Sequence, residues 1–195
     1  INTEGSIDSL VSANANAGFS IVKYTGSGTA GTTIGHGLSA APELIIVKNT
    51  SINRDWSVVG SAIVSGSSGN DGTRRLVLND NVVAYNDGFG LQSATSTTFA
   101  FEHNNSIANN TDDFIAYCFH SVSGYSKIGS YTGNGTAGHS ITGLGFQPDW
   151  IMIKRTTAAH HWVIADSVRG DQVSLLANLS NAESDQGGDD LVSLD

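Results

Sequence analysis

The stretch YTGSGTAGTTIGHGLSAAPELIIVK, Tyr24 to Lys48, returns as YTGNGTAGHSITGLGFQPDWIMIK, Tyr131 to Lys154. With one residue omitted from the second, 13 of the 24 aligned positions are identical. Pro42 aligns with Pro148, Glu43 with Asp149 and Trp56 with Trp162, all 106 residues apart. Upstream, Gly18-Phe19-Ser20 answers Gly124-Tyr125-Ser126. A fixed offset across separate motifs marks one structural unit written twice. The glycine phrase inside it reads as a tight loop between core strands, because alternating glycines permit positive φ and close backbone approach. A phosphate-cradling reading fails: neither copy contains GxxxxGK[ST], and no helix is expected to follow.

Around the phrase the chain alternates with the period of a strand. Phe19, Ile21 and Lys23 fall on one face, and Ser20, Val22 and Tyr24 on the other. Leu44–Val47 and Trp150–Ile153 are solid apolar runs after a proline and read as strands buried on both faces. Trp56 and Val58, Leu76 and Leu78, and Phe99 and Phe101 alternate with polar neighbours, whereas 114–119 is apolar on both faces. Turn clusters at 26–31, 66–72, 86–88 and 104–111 separate these segments. Residues 172–184 carry a weak helical pattern, but their counterpart RRLVLND reads as a strand, so a strand is expected there too.

The expected fold is therefore all-β, as tandem antiparallel β-sandwiches of jelly-roll type. Residues 1–16 read as the end of a preceding element or a linker, 17–122 as the first repeat, and 123–195 as the second. The second repeat has no counterpart of TTFAFEH or DDFIAYCFH and is expected to be truncated or completed by another segment. Ile1 in place of Met suggests a natural start further upstream. On this reading Trp56 and Trp162 are equivalent core residues, and Trp150 fills a core.

Composition narrows the function. The formal net charge is −9, with nine Lys and Arg scattered along the chain, which argues against a nucleic-acid partner. No apolar run is long enough to insert in a membrane as a helix, and no secretory leader opens the chain. A single Cys118 excludes an intrachain disulfide. The low charge and abundant Gly, Ser, Thr and Asn suit an extracellular β-protein.

No catalytic, cofactor-binding or metal-binding residue is assigned, and no cofactor is expected. Glu43 and Asp149 recur at one place in both copies, but glycoside hydrolysis needs two carboxyls facing one bond. Each unit offers one, so a turn-capping role is expected for both. His160-His161 are adjacent, which on a strand points them apart and prevents joint chelation. His36, His103, His120 and His139 have no partner motif. The acidic run ESDQGGDD, Glu183–Asp190, has oxygen ligands for calcium but lacks the pattern of a defined loop. Asn49, Asn104, Asn109, Asn134 and Asn178 match N-x-[ST], as so Asn- and Ser-rich a chain does by composition.

The phrases GFSIVKYTGSGTAGTTIGHGLSAAPELIIVKN, DDFIAYCFHSVSGYSKIGSYTGNGTAG and GFQPDWIMIKRT, with LLANLSNAE, resemble a family of tandem β-domains in virion and tail-associated proteins of tailed bacteriophages, many of them marine. The resemblance covers nearly the whole chain. It implies a non-enzymatic virion structural protein, such as a segment of a tail fibre or surface appendage serving assembly and host attachment. The partners it implies are other virion proteins, further copies of the chain in a homo-oligomer, and a host-surface glycan. A carbohydrate-binding, lectin-like module ranks second, and exposed aromatics beside Asn-lined loops would mark it. A glycan depolymerase ranks last.

Overall fold

The computed structural model describes residues 1–60, 74–86, 89–136, 138–170 and 173–185. The chain is all-β. In order the strands are β1 (Ser9–Asn14), β2 (Phe19–Thr25), β3 (Thr33–Gly35), β4 (Leu44–Asn49), β5 (Ser57–Val59), β6 (Arg74–Val77) and β7 (Tyr85–Asn86). Then come β8 (Leu91–Ala94), β9 (Thr98–Phe101), β10 (Asp113–Phe119), β11 (Trp150–Lys154), β12 (Trp162–Asp166), β13 (Val173–Leu176) and β14 (Ser184–Asp185). Every pairing between them is antiparallel.

Three sheets form. A seven-stranded sheet runs β1-β2-β10-β4-β5-β6-β7, a three-stranded sheet β3-β9-β8, and a four-stranded sheet β11-β12-β13-β14. The first two enclose the main core: Val22, Tyr24, Ile45, Val47, Phe114 and Ala116 from the large sheet meet Ile34, Phe99, Phe101 and Leu91 from the small one. Alternation does what the sequence reading expected. In β2 the Ser20, Val22 and Tyr24 face is buried, while Lys23 lies exposed on the other. In β10, Phe114, Ala116 and Cys118 point inward and the intervening residues are half-buried.

Residues 9–14 correct the expectation that 1–16 belong to a preceding element. They pair along their whole length with β2, from Ser9 opposite Tyr24 to Asn14 opposite Phe19. The connecting turn is built locally. Asn14 Oδ1 accepts from Ala17 N at 3.2 Å, and Gly18 sits at φ 65 with its N–H on Ala15 O. A Cβ on Gly18 would lie 2.5 Å from the His120 carbonyl oxygen, so glycine is required twice over. Within the large sheet β4 to β7 are sequential neighbours, a meander.

The duplication is visible in hydrogen-bond register. Ile45 pairs with Val59 in β4–β5, and Ile151 pairs with Ala165 in β11–β12, each 106 residues on. In the next pairing the offset drops to 99: Ser57 faces Val77, and Val163 faces Leu176. It stays 99 in the last pairing, where Arg74 faces Asn86 and Val173 faces Asp185. The second unit thus repeats the β4–β7 meander with seven residues fewer between its second and third strands. Among the described residues it forms one four-stranded sheet, and β11 lies at that sheet's edge where β4 is central.

Both units close the meander with one asparagine. Asn79 Oδ1 accepts the Trp56 N–H at 2.8 Å, and Asn178 Oδ1 accepts the Trp162 N–H at 3.0 Å. The amide of each turns back, Asn79 to Asp55 Oδ1 and Asn178 to His161 Nδ1. Leu78 N and Ala177 N then donate to the two tryptophan carbonyls. Asn178→Ala removes the acceptor and leaves the half-buried Trp162 N–H unpaired, an expected loss of about 1–2 kcal/mol by urea denaturation. Asn178→Asp, which keeps the acceptor, is expected to recover most of it.

The two units meet back to back. Trp162 is 4% exposed and packs with Val58 and Leu76, beside Leu44, Ile46, Leu78, Ala84 and Met152. Ile46 and Val58 are cross-strand partners on the large sheet's outer face, away from the main core. Trp162 Nε1 donates to Val77 O at 2.7 Å, and the backbone adds His160 N to Asn81 O at 2.7 Å. A buried indole needs such an acceptor, which fixes its orientation.

Candidate interaction site

The glycine phrase of the first unit lies in a closed polar end. Tyr24 ends its buried face by donating its hydroxyl to Ala108 O at 2.7 Å. Gly26 N donates to Asp112 O and Gly28 N to Asn109 O, both at 3.0 Å. Asn104 Nδ2 returns a bond to Gly28 O at 2.9 Å, and Asn109 Nδ2 one to Thr29 O at 2.7 Å. Asn49 Nδ2 spans Ser106 O at 2.8 Å and Asp112 Oδ2 at 2.7 Å, while Asn110 Nδ2 reaches the same oxygen. These two amides hold the Asp112 carboxyl below the usual carboxylate range, with burial opposing. The network spends its donors and acceptors on itself, so this end latches the loops 26–32 and 104–112 together.

The same phrase in the second unit has none of this. Residues 131–136 and 138–143 are all exposed, and among the described residues no strand pairs with 125–131. Tyr24 is 2% exposed and Tyr131 52%. Asn134 Oδ1 accepts only from its neighbour Thr136, through N and Oγ1. Phrases that differ in one letter of eight thus give a latch in one unit and an exposed loop in the other, because β10 and the 104–112 loop supply the partners in the first.

The carboxylates Glu43 and Asp149 stay apart in role. Glu43 Oε2 accepts the Ser121 N–H at 2.5 Å, the turn-capping role expected of it. Asp149 Oδ1 accepts from Ser167 Oγ at 3.0 Å, while its carbonyl accepts from Ser167 N. Each is bound to a partner in its own unit, Glu43 to Ser121 and Asp149 to Ser167. His160 is exposed, and His161 is tied to Asn178. His36 is fully buried; its Nδ1 accepts from Leu38 N, so Nε2 carries the proton donated to Thr95 O at 3.1 Å. Burial, chiefly, lowers its pKa. Among the described residues no group of three His, Cys, Asp or Glu is placed to hold a metal ion. Most of the run Glu183–Asp190 lies outside the described residues, as does the whole of the turn 66–72.

Of the N-x-[ST] asparagines, Asn49 and Asn109 are buried and engaged in the latch. Cys118 is buried, and burial pushes its thiol up to about 12, with the facing Ser20 hydroxyl opposing. A folded chain is therefore expected to resist a neutral-pH thiol reagent for hours and to react within seconds in denaturant. Rapid labelling of the native protein would show that β10 opens locally.

Trp150 corrects the core expectation. It is 54% exposed, and Tyr125 is 65% exposed. Tyr131 is exposed as well, and alternation alone could not distinguish these residues from core residues. A shallow depression elsewhere is lined by Ile1, Asp8, Leu10, Lys23, Thr25 and Asp113, where Thr25 Oγ1 donates to Asp113 Oδ1 at 2.6 Å. No helix among the described residues is long and apolar enough to cross a membrane. The asparagines 79 and 178 were missed in sequence because the seven-residue deletion breaks the offset that revealed the other pairs.

Neither a curated protein nor a solved structure matches the chain. A domain of unknown function, DUF7483, matches residues 1–194. That match spans both copies of the repeat, and the chain belongs to the DUF7483 family.

Proposed function

We propose that this chain is a structural and adhesive module of a bacteriophage particle, a segment of a tail fibre or surface appendage that works by association. The observation that carries the reading is the back-to-back joining of the two units through Trp162. Repeated β-units welded by a buried aromatic build a stiff extended element, and the polar loops of the first unit close on themselves. Its partners on this reading are other virion proteins and further copies of the chain. Many such chains on one particle convert weak single contacts into firm attachment. Immunogold labelling of purified particles with antibody to this chain tests it: label on tails or fibres is the expected result, and unlabelled particles overturn it.

The exposed Tyr125, Tyr131 and Trp150 favour a second reading, a carbohydrate-binding module. Sugar rings stack on exposed aromatic faces, and Asn134 stands near Tyr131 in sequence. Titration of host-surface polysaccharide against Trp fluorescence, with Trp150→Ala as control, separates this reading from the first. Reducing-end release in the same mixture would instead indicate a depolymerase.

A further inference from the structure

We propose that the free edge of β11 is an acceptor for one antiparallel strand from a partner polypeptide, an extended segment with the alternation of β10. The argument comes from the molecule's own duplicate. In the first unit β4, the counterpart of β11, has β5 on one side and β10 on the other. In the second unit β12 takes the β5 side with the same register, and among the described residues no strand takes the other. An open edge presents unpaired N–H and C=O groups, which a strand of suitable pattern satisfies.

A separate observation describes what is missing. The three exposed aromatics of the second unit have covered counterparts in the first. Tyr125 answers Phe19, whose ring lies 4.8 Å from Phe119 of β10. Tyr131 answers Tyr24, which stacks on Phe114 of β10 at 5.3 Å. Trp150 answers Leu44, the cross-strand partner of Phe119. Each uncovered residue answers one that lies beside β10 in the first copy. The inference rests on the duplication and does not depend on where the protein works.

The register transfers directly. β10 sets Phe119, Cys118, Tyr117 and Ala116 opposite Leu44, Ile45, Ile46 and Val47. An incoming segment of this type would set the same residues opposite Trp150, Ile151, Met152 and Ile153. Large and small apolar residues must alternate on its inward face, as Phe114, Ala116 and Cys118 do.

The test uses the whole chain and a labelled peptide with the sequence of residues 111–121, TDDFIAYCFHS. Saturable one-to-one binding with a change in Trp150 fluorescence is expected, and a scrambled peptide should bind at least ten-fold more weakly. Two further peptides are N-methylated on alternate residues in opposite phases. Strand addition requires the phase that blocks the β11 side to lose at least ten-fold more affinity than the other. Equal losses in both phases, equal binding of the scrambled peptide, or no binding overturns the proposal. So does a dimer of the chain that buries Trp150 and excludes the peptide, since the edge would then pair with another β11.

Discussion

Replacing Trp162 with alanine is expected to cost about 3–5 kcal/mol, the range for removing a large buried aromatic. The same change at Trp150 is expected to stay within about 0.5 kcal/mol, as surface changes do. Both tryptophans head strands of the second unit, so the contrast tests location rather than chemistry. Trp162 is 4% exposed among Val58, Leu76, Leu44 and Ile46 of the first unit, and its indole bonds Val77 O. Its removal opens a cavity between the units and strands that carbonyl. Trp150 stands at the free edge of β11, 54% exposed. Urea denaturation of each variant, followed by far-UV circular dichroism, measures both. A Trp162→Ala loss below about 1 kcal/mol would mean that the units do not share this core. A loss at Trp150 as large as at Trp162 would mean that β11 is covered.

Gly26→Ala is expected to lower stability by roughly 3 kcal/mol, and Gly133→Ala to change it by less than about 0.5 kcal/mol. The two glycines hold the same place in YTGSGTAG and YTGNGTAG. A Cβ on Gly26 would sit 1.9 Å from the Asn110 carbonyl oxygen, which is backbone and cannot swing aside. At Gly133 the added atom meets nothing within 4 Å. The Gly26 substitution must therefore push apart loops 26–32 and 104–112, and with them the bonds of Asn49, Asn104 and Asn109. Thermal melts of the two variants compare the costs directly. Equal effects would mean that both phrases sit in like surroundings, and the latch would then be a property of the phrase itself.

These contrasts show how far a repeated sequence carries. The all-β class, the facing of β2 and the equivalence of Leu44–Val47 with Trp150–Ile153 were legible in period and offset alone. Alternation with a period of two is a backbone property, so it survives whatever packs above it. The turn-capping of Glu43 was legible for a similar reason, since a carboxylate at a strand entrance has a backbone N–H within reach. The asparagine pair 79 and 178 was written in the sequence too, but hidden by the change of offset from 106 to 99.

Burial was another matter. WIMI and LIIV are equally apolar, yet Ile45 and Val47 are wholly buried while Ile151 and Ile153 are only half-covered. Tyr24 and Tyr131 stand in one phrase and lie at opposite extremes of exposure. What separates them is the neighbour across the sheet, β10 in the first unit, which lies some seventy residues along the chain from β4. Local sequence sets which way a side chain points and how strongly it avoids water. Whether anything arrives to cover it depends on a strand brought in from far away, and that the tertiary structure alone decided.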